Sequence, residues 1–295
     1  SYLAIIFFLI RATFFDEIIF TLIGILFGLC VFVLQIRNFL IYIVRNFIAD
    51  YIIYQSKFSK QINDRTFGSI ETPNKIIFNG TGPKKIDFAD KRGIQICCIE
   101  GNYSASTYEI NLLKAIAEYC DSEANVSEFS IYGNFNNPIK NKYFKKKFKK
   151  IKFYGYVDNE KLPEIYANKP VLFSIDIDHA CSNSIIEAMS FGSPIVAMST
   201  GGNPELIEDY FNGRLGKTIS KIDLQLSNEI GFTLNEIKDL MDPILNNFQY
   251  YATNSLAVFE RDYSINEVAR KYTNVFNEVI NFKGIKIRKN KKIGK

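Results

Sequence analysis

The chain runs to 295 residues, enough for two α/β layers and a sizeable core, and its 47% apolar and 15% aromatic content is high for a soluble protein. With 36 Lys and Arg against 31 Asp and Glu the net charge is +5, concentrated in 140–152 and 283–295, which suits a phosphate ligand or an anionic membrane surface and argues against nucleic acid. Cys30, Cys97, Cys98, Cys120 and Cys181 are odd in number and lack CxxC spacing, so neither a disulfide framework nor a zinc site is indicated and a reducing cytosol is the simplest reading.

In chain order, the first feature is the uncharged stretch 18–36, broken only by Thr21, Gly24, Gly28 and Gln35. Its length just reaches what a bilayer-crossing helix needs. Two readings stand: a membrane span, or a helix buried in an α/β domain or lying in the membrane interface, with Gly24 and Gly28 serving close packing. In the first, Arg37 and Arg45 against Asp16 and Glu17 leave the rest of the chain cytoplasmic. An amphipathic helix is expected over 39–47. Short strands follow at 51–54 and 75–78, the second ending in the turn dipeptide Asn79-Gly80.

From Gly93 the pattern becomes a βαβ series. Strand 94–99 is followed by a helix over 109–119, with Ile110, Leu113 and Ala117 on one face, and by strands at 129–132 and 151–153. A short helix at 161–167 and an apolar strand at 171–175 then lead into the loop 176–183. Lysine-rich 140–152 is read as a solvated face or as a source of cations for an anionic ligand. Such alternation implies a doubly wound parallel sheet with its ligand at the carboxyl ends of the strands, where the 176–183 loop lies.

The stretch 181–207 reads as polar turn, helix, Gly-Pro break, buried strand, Gly-Gly turn and second helix. Asn183 and Ser184 are expected to cap the first helix, Gly192 to end it and Pro194 to stop it, with a strand at 195–198. Amides at that helix start lack intrahelical partners, and the helix dipole there favours an anion. Farther on, Ser264-Ile-Asn-Glu267 reads as a capping box opening a helix to 280.

The register of Glu187-Ala188, Gly192-x-Pro194, a strand, Gly201-Gly202 and Glu205 resembles the donor-binding segment of family 4 glycosyltransferases, which are retaining, nucleotide-sugar-dependent enzymes of GT-B fold. Ala49-Asp50 through Ser56, and Ile76 through Gly80, are similar to the last two strands of that family's acceptor domain. The resemblance covers about 47–280. It implies an α/β, GT-B-type, doubly wound parallel sheet: a Rossmann-like donor domain over 91–262, preceded by an incomplete, largely helical partial acceptor domain over 1–90. A helix at 263–282 crosses back, and a basic tail occupies 283–295.

The implied activity is transfer of a sugar, with retention, from a nucleoside diphosphate sugar to a lipid-linked or polysaccharide acceptor at the cytoplasmic membrane face, with no metal or other cofactor. No protein nucleophile is then required, and fixed hydrogen-bond donors carry most of the catalysis. By the same resemblance, Ser182, Asn183 and Ser184 front the diphosphate and Glu187 accepts from the ribose hydroxyls. Gly201 and Gly202 belong to the donor site, and Gly155 and Val157 contact the nucleobase through backbone. Glu205 is either a helix cap or a ligand contact. Two departures stand out. His179 occupies the position of a family glutamate, so His179 and Asp178 are assigned to the donor sugar. The family's Arg and Lys beyond the first donor strand, aligned from Gly101, are here Asn102 and Thr107, which removes two charge-assisted contacts. Two rival readings are a catalytically inactive, membrane-associated subunit whose protein partner supplies the acceptor half, and a sugar-nucleotide epimerase.

Overall fold

The computed structural model describes residues 32–82, 93–104, 106–135, 138–220 and 230–282, which divide into two compact units. The smaller holds 32–52 and 64–74. Its backbone is helical over 32–43 (α1) and runs on into a π-helical turn at Val44–Ile48. Phe32, Val33, Phe39, Leu40, Phe47 and Ile48 are exposed, whereas Arg45 is buried and donates to the Gly68 carbonyl at 2.6 Å and to the Asp64 carboxylate. The amphipathic pattern expected over 39–47 is therefore inverted. A guanidinium taken out of water needs both a counter-charge and an acceptor, and Asp64 and Gly68 provide them. Residues 18–31 and 283–295 lie outside the described residues. Among the described ones, no helix is long and apolar enough to cross a membrane.

Three short elements follow α1. Strands β1 (Ile52–Tyr54) and β2 (Asn74–Ile76) form a two-stranded sheet, and α2 (Lys57–Phe67) lies between them in sequence.

The larger unit, 53–63 with the described residues from 75 to 282, is built on a six-stranded sheet. Its strands are β3 (Ile94–Tyr103), β4 (Val126–Phe135), β5 (Ile151–Gly155), β6 (Val171–Ser174), β7 (Ile195–Ser199) and β8 (Gly213–Thr218), in the order β5-β4-β3-β6-β7-β8, every pair parallel. The chain winds outward from β3 on one side and from β6 on the other, so strand order reverses between them. At such a switch point the crossover helices part and leave a crevice beyond the carboxyl ends.

Burial explains the strand sequences. All four residues of β6 and four of the five of β7 are buried, and so read as continuous apolar runs, as strands covered on both faces do. In β3, Ile96 and Cys98 join one core with Phe129, Phe173, Leu112 and Ile116. Cys97 and Ile99 join the other, with Leu172, Ile185, Met189 and Phe259. The helices on these two faces are α3 (Thr107–Ser122), α4 (Pro138–Lys147), α5 (Leu162–Tyr166), α6 (Asn183–Ser190), α7 (Asn203–Leu206), α8 (Leu234–Asn246), α9 (Phe248–Val258) and, after a π-helical turn at Phe259–Tyr263, α10 (Ile265–Phe282).

Capping differs from expectation in instructive ways. Ser106 with Glu109 and Thr233 with Glu236 form capping boxes at α3 and α8. The box expected at Ser264 and Glu267 does not form. Ser264 N–H already bonds the Phe259 carbonyl at 2.9 Å because the π-helical turn runs straight into α10, and the Glu267 carboxylate pairs with Arg270. α10 packs along 75–81, with Ile265 N–H donating to the Thr81 carbonyl at 2.9 Å and Lys75 paired with Glu278 at 3.7 Å. α6 ends as its sequence predicts: Gly192, at φ +73°, donates to the Met189 carbonyl at 2.9 Å and Ser193 to that of Ala188 at 3.1 Å, the paired bonds of a Schellman motif.

Candidate functional site

Where the strand order reverses, the sheet opens into a cavity of about 350 Å³. Ile99, Glu100 and Gly101 of β3 line it, with Tyr132 and Gly133 of β4 and Tyr156 and Val157 just past β5. Asp176, His179 and Cys181 contribute from the loop after β6, and Ser182, Asn183, Ser184 and Glu187 from the start of α6. A second cavity of about 430 Å³, lined by Asn79, Thr81, Val268 and Tyr272, shares Asn183 and Glu187 with the first.

The cap of α6 is Ser182, one residue earlier than expected, and no side chain closes it; Asn183 and Ser184 are its first helical residues. The first helical hydrogen bond runs from Ile186 N–H to the Ser182 carbonyl at 3.3 Å, so the amides of Asn183, Ser184 and Ile185 have no carbonyl within the helix. Side chains that would ordinarily cap them are used otherwise. Ser182 Oγ lies 2.9 Å from Ser184 Oγ, and Asn183 Oδ1 accepts from Asn79 Nδ2 at 2.8 Å. Asn79 Oδ1 in turn accepts from Gln55 Nε2 at 3.0 Å. The result is a helix start that fronts open space with its positive dipole end and free donors, a ready site for an anion.

The loop carrying His179 is fixed by contacts from the turn after β7. Asp178 adopts φ 58°, its amide donates to Thr200 Oγ1 at 3.2 Å, and its carboxylate accepts from the same hydroxyl at 2.9 Å. Gly202 N–H donates to the His179 carbonyl at 2.7 Å. A Cβ would lie 2.6 Å from that carbonyl oxygen at Gly201, and 2.2 Å from the Ala180 oxygen at Gly202. Asp178, Gly201 and Gly202 thus hold the loop and do not line the cavity, whereas His179 does line it, with Nε2 3.4 Å from Asp176 Oδ1.

Glu205 is a helix cap. Its two carboxylate oxygens accept from the amides of Lys57 at 2.8 Å and Phe58 at 2.9 Å, at the start of α2, and it does not line the cavity. Glu205→Ala removes a charged acceptor from two helix-start donors and is expected to lower stability by about 1–2 kcal/mol, with Glu205→Gln intermediate, as measured by urea unfolding. Asn102 accepts from Asn134 Nδ2 at 3.0 Å, Thr107 opens α3 and Gly155 closes β5; none of the three lines the cavity.

Glu100 is among the lining residues that the sequence did not single out. Glu100 ends the apolar run of β3, hydrogen-bonds to Asp176 and receives the Ile175 amide, while its Oε1 is buried with no partner among the described residues. Burial, and then the neighbouring Asp176 charge, push the Glu100 carboxyl well above the usual carboxylate range. The signal was an acid placed directly between Ile99 and Gly101. Burial likewise pushes the Cys181 thiol up to about 11, which keeps it from serving as a thiolate nucleophile near neutrality. Among the described lining residues none is Lys or Arg. The site is thus suited to bind an anion through amides and to orient hydroxyl groups.

A family model described as Glycosyl transferases group 1 matches residues 101–229. No curated protein matches the chain. Among solved structures, Anabaena Alr3699/HepE in complex with UDP-glucose superimposes with TM-score 0.62 at 17% identity, covering 83% of this chain and 68% of that one. The pneumococcal O-GlcNAc transferase GtfA, in complex with UDP and GlcNAc, gives TM-score 0.60 at 15% identity, covering 79% and 46%. Sucrose-phosphate synthase from Thermosynechococcus elongatus gives TM-score 0.62 at 15% identity, covering 84% and 62%. The chain thus spans between about half and two thirds of the length of these proteins. Its doubly wound parallel sheet, with the cavity at the strand-order reversal, is the Rossmann-like fold of GT-B glycosyltransferase structures.

Proposed function

We propose that the protein is a retaining glycosyltransferase of family 4 type, using a nucleoside diphosphate sugar to extend a lipid-linked or polysaccharide acceptor at a membrane face. The observation that carries this reading is the α6 start: uncapped amides on a cavity, with the Glu187 carboxylate one turn farther along the helix. In this reading the Asn183, Ser184 and Ile185 amides stabilise the charge growing on the leaving diphosphate, and Glu187 fixes the ribose. Val157 backbone meets the nucleobase, and His179 faces the transferred sugar and its phosphates. HepE holds UDP-glucose in its structure, and GtfA holds UDP and GlcNAc. The exposed apolar side chains of α1 supply the membrane-facing element.

The experiment is a melting-shift panel of UDP, GDP, ADP and their sugar conjugates, followed by a turnover assay on whichever conjugate stabilises. A specific ligand raises apparent stability by mass action, by about 2.7 kcal/mol at a hundredfold excess over Kd. Absence of any shift across the panel sinks the reading. Stabilisation without turnover selects instead an inactive subunit that relies on a partner, a reading favoured by Asn102 and Thr107 standing where the family has its Arg and Lys.

A further inference from the structure

The second cavity, of about 430 Å³, is within the size range of small-molecule sites, about 300–1,000 Å³. Its walls are residues 78–81, the first turn of α6 and the first half of α10. Direct hydrogen bonds hold these walls to one another. Thr81 N–H donates to the Tyr263 carbonyl at 3.2 Å, Ile265 N–H to the Thr81 carbonyl at 2.9 Å, and Asn79 Nδ2 to Asn183 Oδ1 at 2.8 Å. α10 approaches so closely that a Cβ at Gly80 would lie 2.7 Å from Val268 Cγ2. The cavity is thus formed before any ligand arrives, which lowers the cost of binding.

The lining suits hydroxyl groups. Asn79 and Asn183 bring carboxamides, Thr81 and Tyr272 bring hydroxyls, and Phe78, Ile186 and Val268 bring apolar surface. Among the described residues, the Thr81 and Tyr272 hydroxyls and Asn183 Nδ2 have no hydrogen-bond partner. A sugar ring matches that inventory: its hydroxyls each donate and accept, and its C–H faces pack on aromatic and aliphatic side chains. The position of the cavity gives such a sugar its role. Asn183 and Glu187 border both cavities, and Asn183 is the first residue of α6, whose starting amides front the first cavity. A ligand in the second cavity therefore lies beside the helix start on which the diphosphate is placed.

We propose that the second cavity is the acceptor site and holds a neutral sugar unit, so that the group glycosylated is the end of a glycan. This rests on the nucleotide-sugar reading above. A hydroxyl oxygen of the held sugar bonds to the anomeric carbon of the donor while the bond from that carbon to the diphosphate breaks. The diphosphate leaves with the bonding electrons and takes up the hydroxyl proton. Tyr272, Thr81 and Asn79 bind the acceptor and take no part in making or breaking these bonds.

The test is saturation-transfer NMR on the full chain with the methyl glycosides of glucose, galactose, mannose and N-acetylglucosamine. Each is measured alone and with an excess of UDP, or of whichever nucleoside diphosphate gives the largest melting shift. At least one glycoside is expected to bind in the millimolar range and to stay bound when the nucleotide is added. Tyr272→Ala should lose the signal. Tyr272→Phe and Thr81→Val each remove one hydroxyl and should weaken binding about two- to tenfold. All three variants should keep the wild-type melting shift with nucleotide, which shows that they fold. In the turnover assay the glycoside that binds is expected to be the one glycosylated, with its KM raised in Thr81→Val and the KM of the nucleotide sugar unchanged. No glycoside bound by wild type overturns the proposal and leaves the nucleotide-sugar reading standing on its melting shift. A glycoside displaced by nucleotide, or bound equally by Tyr272→Ala, overturns it too, because that sugar then sits elsewhere. Transfer only to glycosides that do not bind has the same force. Absence of a melting shift with every nucleotide removes both readings.

Discussion

Gly202→Ala is expected to lower stability by about 3 kcal/mol and to abolish ligand binding with it. The added methyl would sit 2.2 Å from the Ala180 carbonyl oxygen and 2.9 Å from its carbon, and both atoms are backbone, with no flexible side chain to yield. Nor is retreat open to residue 202, because its own N–H is bonded to the His179 carbonyl at 2.7 Å. The 176–182 loop must therefore move, and it carries His179, Cys181 and Ser182 of the cavity lining. Overpacking of this kind costs about 1–3 kcal/mol, and a rigid backbone contact falls at the upper end. In a chain of this size that corresponds to a melting temperature lower by roughly 6–12 °C, readable by calorimetry. Gly101→Ala is the control. Its Cβ meets nothing within 4 Å, so melting should stay within about 2 °C of wild type. Equal melting temperatures for Gly202→Ala and wild type would show that the loop is not held as described.

Glu187→Ala is expected to weaken nucleotide affinity by about 100–10,000-fold while far-ultraviolet circular dichroism stays that of the wild type. A carboxylate accepting from two ribose hydroxyls contributes charge-assisted hydrogen bonds of about 1.5–3 kcal/mol each, and every 1.4 kcal/mol is tenfold in Kd. Glu187 is half-buried and lines both large cavities, which places it within reach of a ligand in either. A second comparison locates the effect. The matching 2′-deoxynucleotide should bind wild type less tightly than the ribonucleotide, and bind Glu187→Ala equally with it. Undiminished ribonucleotide affinity in the variant would take Glu187 out of the site.

Much of the sheet was legible because β6 and β7 are buried on both faces and so advertise themselves as apolar runs bounded by turn residues. The end of α6 was legible for a local reason too, since Gly192 and Pro194 act within one turn of the helix. β8 was not: its sequence Gly-Arg-Leu-Gly-Lys-Thr holds one apolar residue, and it is recruited as an edge strand by pairing with β7. What sequence could not supply at the site were contacts between distant segments. Glu100 drew no reading from the sequence, because Asp176 and the Ile175 amide that close over it come from the far end of another strand. Glu205 reads equally as cap or ligand contact until α2 arrives to take both its oxygens. Arg45 reads as the polar face of a helix until Asp64 and Gly68 enclose it. In each case the neighbour that decides the role of the charged side chain lies in another part of the chain.

The bonds from the Lys57 and Phe58 amides to Glu205 join positions 148 and 147 apart. Bringing such remote points together carries a loop-closure cost that is recovered only after the intervening strands have assembled, which puts this union late in the order of folding events. The opening turn of α2 is thus a segment whose local structure is completed by the fold it belongs to. A ribosome-bound intermediate lacking residues beyond 204 would have no carboxylate with which to anchor it.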